Sequence, residues 1–111
     1  MIVPFLKAEF IENKVNINCL VDDEFGKEIQ IIFGKNAFMK EHKAPFAVRI
    51  QVLKGEIKFT LNNETMILKE LDLISLAPNI THSLLALNNS IVRLSLSKFD
   101  KIQRISAVLK N

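Results

Sequence analysis

The 111-residue chain contains no tryptophan and no tyrosine, one cysteine, three glycines and three prolines. Each scarcity excludes something. A single cysteine cannot close an intrachain disulfide, so Cys19 is expected to be a buried bystander thiol in a reducing compartment, without redox chemistry. So few glycines and prolines exclude collagen-like and low-complexity chains. No apolar run approaches the roughly 18 residues of a membrane helix; the densest stretches, Ile29 to Phe33 and Leu84 to Leu87, are strand-sized. The opening residues Met1 to Lys7 lack a basic start, an apolar core and a small-residue cleavage site, so no secretory signal is expected and the cytoplasm is the expected compartment. Nucleophile elbows, Walker loops, dinucleotide-binding glycine motifs and zinc-spaced Cys/His clusters are also missing, which removes the enzyme classes that depend on them.

What is present describes one globular domain. Hydrophobic residues make up 49% and charged residues 24% of the chain, close to the average for folded proteins. The net charge of +3 is confined to the end. Residues 98–111 hold Lys98, Lys101, Arg104 and Lys110 against Asp100, leaving residues 1–97 balanced at eleven of each sign. A nucleic-acid binder carries a basic face across its fold; this body is neutral, so nucleic acid is not an expected partner. The acidic trio Asp22-Asp23-Glu24 reads as a solvated turn and not as paired catalytic carboxylates.

From residue 29 onward hydrophobicity alternates with period two, the mark of strands with one buried face. Ile57, Phe59 and Leu61 point one way and Lys58 and Thr60 the other, because successive strand side chains leave opposite faces. Val92, Leu94 and Leu96 repeat the pattern, as do Val48, Ile50 and Val52. Turn residues separate these runs at Gly34, Lys54-Gly55, Asn62-Asn63, Pro78-Asn79 and Asn88-Asn89-Ser90. Many short strands at this spacing mean an all-β sandwich or barrel. Residues 1–28 alternate less cleanly and are expected to supply strands near Ile2–Leu6 and Val15–Val21 that pack on a barrel of residues 29–97. In residues 98–111, Phe99, Ile102, Ile105 and Leu109 recur at helical spacing, with the basic residues largely elsewhere on the wheel. Ser97 followed by Asp100 has the form of a capping box. A short amphipathic C-terminal helix is therefore expected, docked on a sheet edge or against a partner subunit; attachment to a membrane surface is not expected.

Two segments resemble the motifs of the cupins, in particular small single-domain barrels of the cupin-2 type. Gly34, Lys40-Glu41-His42 and Gly55 fall in the frame of the first motif, Gly, five residues, His-x-His, then an acid and a second Gly. Leu71 to His82, with Pro78-Asn79 before His82, looks like the second motif, and Val52-Leu53-Lys54-Gly55-Glu56-Ile57 is similar to the turn between them. The resemblance covers about residues 30–97. It implies an antiparallel double-stranded β-helix, or jelly-roll barrel, around a pocket, in a homodimer. Departures from the motifs define the candidate site. Lys40 stands for the first His, and the expected acid falls at Phe46, Ala47 or Val48, none a carboxylate. Asn79 and Leu71 stand where glycine is common, and Ala86 replaces an Asn.

Of four family metal ligands only His42 and His82 remain, the only histidines in the chain. Catalytic transition-metal sites generally need three protein ligands. Glu41, Met39 and Cys19 are the available candidates for a third, although alternation places Glu41 opposite Lys40 and His42 unless a bulge intervenes. The candidate ligand-binding residues are thus His42, His82, Lys40, Phe46 and Val48, with His42 and His82 as the candidate metal pair. Lys40 and two imidazoles titrating near neutral pH would attract a small anion. Phe46, beside Pro45, would close the barrel mouth or meet another subunit. Three functional readings follow: a binding or sensing module for a small molecule; a metal-dependent enzyme of oxygenase or isomerase type, holding a divalent transition metal through His42 and His82; and a structural homodimer with a filled barrel.

Overall fold

A computed structural model describes residues 1–110. They form β1 (Val15–Asp22), β2 (Lys27–Phe33), β3 (Phe38–His42), β4 (Val48–Lys54), β5 (Ile57–Leu61), β6 (Glu64–Leu68), β7 (Leu73–Leu76), β8 (His82–Ala86), β9 (Ser90–Leu96) and α1 (Ile102–Val108). The strands make two antiparallel sheets, ordered β1-β2-β9-β4-β7 and β3-β8-β5-β6. The expected all-β architecture with a short C-terminal helix is what forms. Alternation decides which face is buried: Val48, Ile50 and Val52 on β4, Ile57 and Phe59 on β5, and Val92, Leu94 and Leu96 on β9 all enter one core. That core lies between the sheets, so each inward side chain stabilises both layers by leaving water, at about 25 cal/mol per Å² of apolar surface.

The turns explain how nine strands fit in so short a chain. Asn62 and Asn63 have φ of 45° and 71°, both left-handed, the pairing that closes a two-residue hairpin between β5 and β6. Gly55, at φ +89°, has no room for a side chain, since a Cβ would run into Ser90 Oγ and the Asn89 carbonyl. Asn79 adopts φ 65° and its amide donates to the Ala44 carbonyl at 2.7 Å, so asparagine preserves the turn where glycine is common. Leu71 is less well suited. It is held at φ 72° by its amide donating to the Val52 carbonyl at 2.7 Å, and its side chain is 71% exposed. A leucine in the left-handed region is strained by its Cβ and gains no packing here. Leu71→Gly should therefore raise stability by about 0.5–1 kcal/mol after the entropic cost of glycine; urea denaturation reads the change, and a loss of stability would refute the strain.

Several expectations are corrected. Residues 2–6 form no strand. Their backbone is tied to a side chain instead: the Leu6 amide donates to Gln30 Oε1 at 3.1 Å and Gln30 Nε2 donates to the Leu6 carbonyl at 2.8 Å. This cross-link satisfies a fully buried glutamine on the outward face of β2, which an apolar residue there would not require. Cys19 is exposed, because β1 is an edge strand with one hydrogen-bonded neighbour. The capping box does not form. Lys101 occupies the N-cap of α1 without a side-chain hydrogen bond, Ser97 Oγ accepts from the Phe99 amide at 3.2 Å, and Asp100 is buried. The apolar side of the helix is Ile102, Ile105 and Val108; Phe99 precedes the helix and is 63% exposed. The acidic trio is a turn as expected, with Asp23 Oδ1 accepting from the amides of Phe25 and Gly26 at 2.9 and 3.3 Å. Among the described residues no helix is long and apolar enough to cross a membrane.

Candidate functional site

His42 closes β3 and His82 opens β8, and the two are paired directly in the antiparallel register. Their ring centroids are 4.2 Å apart with planes tilted by 59°. Phe59 of β5 stacks on the far side of His82, 5.6 Å between centroids at 18°. Each imidazole faces a backbone carbonyl two residues upstream: His42 Nδ1 lies 2.7 Å from the Lys40 oxygen and His82 Nδ1 2.8 Å from the Ile80 oxygen. A carbonyl only accepts, so Nδ1 carries the proton in both rings and Nε2 is left as an acceptor. Burial pushes the His42 pKa down from 6.5 to about 4, against the Lys40 carbonyl, which raises it; the neighbouring His82 and Arg104 lower it further. His82 is also lowered, by burial first and then by Arg104, with the Ile80 carbonyl opposing. The expectation of imidazoles that titrate near neutral pH is thus corrected for His42, and His82 moves in the same direction.

The rings line a cavity of about 20 Å³ together with Met39, Val48, Leu84 and, from the C-terminal helix, Arg104 and Ile105. This volume is near that of a single water site. Ile105 is 2% exposed. Beside it Arg104 is anchored by Asp100, with Nε donating to Oδ1 at 2.8 Å and Nη2 to Oδ2 at 2.7 Å. α1 therefore seats on the barrel mouth against β3, the edge strand of the four-stranded sheet, one of the two docking places expected for it.

Comparison with known proteins decides the fold. No family model matches the sequence, and neither does any curated protein. Among solved structures, the chain is similar to an RmlC-like cupin from Desulfovibrio desulfuricans, with a TM-score of 0.75 and 15% identity over 83% of this chain and 90% of that one. A cupin 2 conserved barrel domain protein from Leptotrichia buccalis gives 0.72 and 27% over 81% of this chain and 44% of its own. A conserved protein of unknown function from Streptococcus pyogenes gives 0.69 and 18% over 80% and 79%. The chain has the cupin fold.

Within the cupin barrel, the candidate residues do not all converge. The register of β3 against β8 shifts between Met39 and His42, and the extra residue lets both of these point inward while Lys40 and Glu41 are exposed. The expectation that Lys40 shares a face with His42 is corrected by this bulge; Lys40 Nζ instead donates to the Lys110 carbonyl at 2.9 Å. Phe46 lies half-buried with its ring 6.2 Å from that of Phe99, away from the cavity. Val48 does line it.

The donor set at the cavity decides whether a divalent metal would fit. Around the cavity it comprises two imidazole Nε2 atoms and the Met39 thioether, beside the Arg104 guanidinium. Among the described residues no three His, Cys, Asp or Glu side chains gather; Glu41 and Cys19 are exposed elsewhere. Without a carboxylate, and with a cation facing the rings, these residues do not fit a catalytic divalent ion. Arg104, Ile105 and Asp100 are the site residues that sequence reasoning missed. The signal was the opposite-charge spacing of Asp100 and Arg104, one helical turn apart.

Proposed function

We propose that this cupin-fold protein binds a small hydroxyl-bearing molecule at the His42–His82 pair as a binding or sensing module, without catalysing a reaction. The observation that carries the reading is the pair itself. Two neutral rings 4.2 Å apart leave their Nε2 atoms as acceptors among apolar side chains and the Arg104 guanidinium, an arrangement that receives hydrogen bonds from a donor such as a sugar or polyol hydroxyl. Neutral imidazoles and an Arg104 already paired with Asp100 give an anion little to bind there. A metabolite is larger than the 20 Å³ available, so α1 must move off the mouth to admit it.

A second reading has its own support in that small volume: a filled barrel that acts through its surface as a homodimer. The N-terminal segment exposes Ile2 (91%), Leu6 (51%) and Ile11 (53%), apolar surface that a second copy would cover. One experiment separates the two. Imidazole ¹⁵N spectra are recorded during titration with sugars, polyols and small carboxylates, alongside sedimentation. The binding reading expects both Nε2 signals to shift with one compound, together with amides of α1. Unmoved rings across the panel in a stable dimer would favour the filled barrel.

A further inference from the structure

We propose that the groove across the outer face of the five-stranded sheet is a second small-molecule site, one that takes a ligand bearing an oxyanion, either carboxylate or phosphate. It is independent of the barrel reading, since it lies on the opposite side of that sheet from the histidines.

The groove encloses about 510 Å³, within the usual range for small-molecule pockets. Strand register builds its floor. Glu28, Ser95, Arg49 and Ser75 are successive partners across β2, β9, β4 and β7. Arg93 and Gln51 are paired in the adjoining row two residues along. Arg49 and Arg93 are thus diagonal neighbours on one face, with Cα atoms about 7–8 Å apart, close enough for both guanidinium groups to reach a single oxyanion.

The charges in the floor are unbalanced. Glu28 is the only carboxylate lining the groove, against Arg49 and Arg93. One oxygen of it, Oε1, accepts from Arg93 Nε at 2.8 Å and from Ser95 Oγ at 2.6 Å. This fixes the Arg93 side chain by its Nε and leaves its two terminal nitrogens directed elsewhere. Among the described residues Arg49 has no ion pair and no side-chain hydrogen bond, so its guanidinium is available. An anion bound between the two arginines relieves their repulsion and forms charge-assisted hydrogen bonds, which are about twice as strong as neutral ones. Ser75 supplies a hydroxyl in the same row. Phe25 and Leu73, 94% and 60% exposed, stand on the β2 and β7 sides of the groove and give a carbon skeleton something to cover.

Amide spectra recorded during separate titrations with inorganic phosphate and with acetate, at constant ionic strength set by chloride, test the proposal. The expected result is saturable shifts at Arg49, Ser75, Arg93 and Ser95, with His42 and His82 unmoved. The tighter of the two anions identifies the headgroup. Arg49→Gln, which breaks no ion pair or side-chain hydrogen bond among the described residues, should weaken binding about tenfold at unchanged Tm. Shifts no larger than those caused by chloride, or equal affinity in Arg49→Gln, would overturn the proposal. So would a dimer in sedimentation that Phe25→Ala dissociates, because the groove would then be a subunit contact.

Discussion

Acidification from pH 7 to pH 4 should cost this protein about 2–3 kcal/mol through His42 alone. The imidazole is neutral in the fold down to about pH 4, whereas in the unfolded chain it takes up a proton near its ordinary value of 6.5. Between these values the unfolded state binds a proton that the folded state refuses, so stability falls as pH falls. Above pH 6.5 the contribution is fully present; by pH 4 it is gone. A displacement from 6.5 to about 4 corresponds to roughly 3 kcal/mol, reduced somewhat because the ring is only partly buried. His82 adds in the same direction, its protonated form being disfavoured by burial and by Arg104. Carboxylates also titrate here, so the useful quantity is a difference. Tm measured from pH 7.5 to pH 4 should fall more steeply in the wild type than in His42→Gln. Parallel curves would show that His42 is readily protonated in place.

The second large effect belongs to Asp100. Its carboxylate is 1% exposed and receives the Lys101 amide at 2.8 Å as well as both Arg104 contacts. Asp100→Ala leaves a partly buried guanidinium without a partner at the barrel mouth. Removing one member of such a pair costs about 3 kcal/mol, or roughly 10–20 °C in Tm for a domain of this size. Asp100→Asn keeps the shape and one acceptor and should lose about half as much. Because Arg104 precedes Ile105, amide exchange in α1 should accelerate in Asp100→Ala before the barrel melts. A change under 1 kcal/mol would mean that Ile105 alone holds the helix in place.

Period-two alternation was enough to place β4, β5 and β9 and to orient their side chains, because each of these strands has one apolar and one polar face. Turn chemistry was equally readable at Gly55, Asn62-Asn63 and Asn79, where backbone conformation depends on the local residue type. What could not be read depends on contacts distant in sequence. Residues 2–6 carry apolar residues fit for a strand, yet are pinned by a glutamine 24 positions away. Asp100 has the spacing of a capping residue and becomes instead the buried anchor of Arg104. Arg104 falls on the polar side of a helical wheel; only the seating of α1 turns that side into the barrel mouth. Both histidines were placed through their family motifs, but their protonation follows from burial, which no spacing records.

The extra residue in β3 bears on any attempt to build a metal site by design. Motif alignment suggests exchanging Lys40 for an imidazole to supply the first His of the motif. Yet Met39 and His42 already take the two inward places on either side of the irregularity, and position 40 opens onto solvent. A ring added there would hang outside the wall. Shortening the strand by one residue, and not swapping a side chain, is the change that alters which groups this part of the wall presents to the interior.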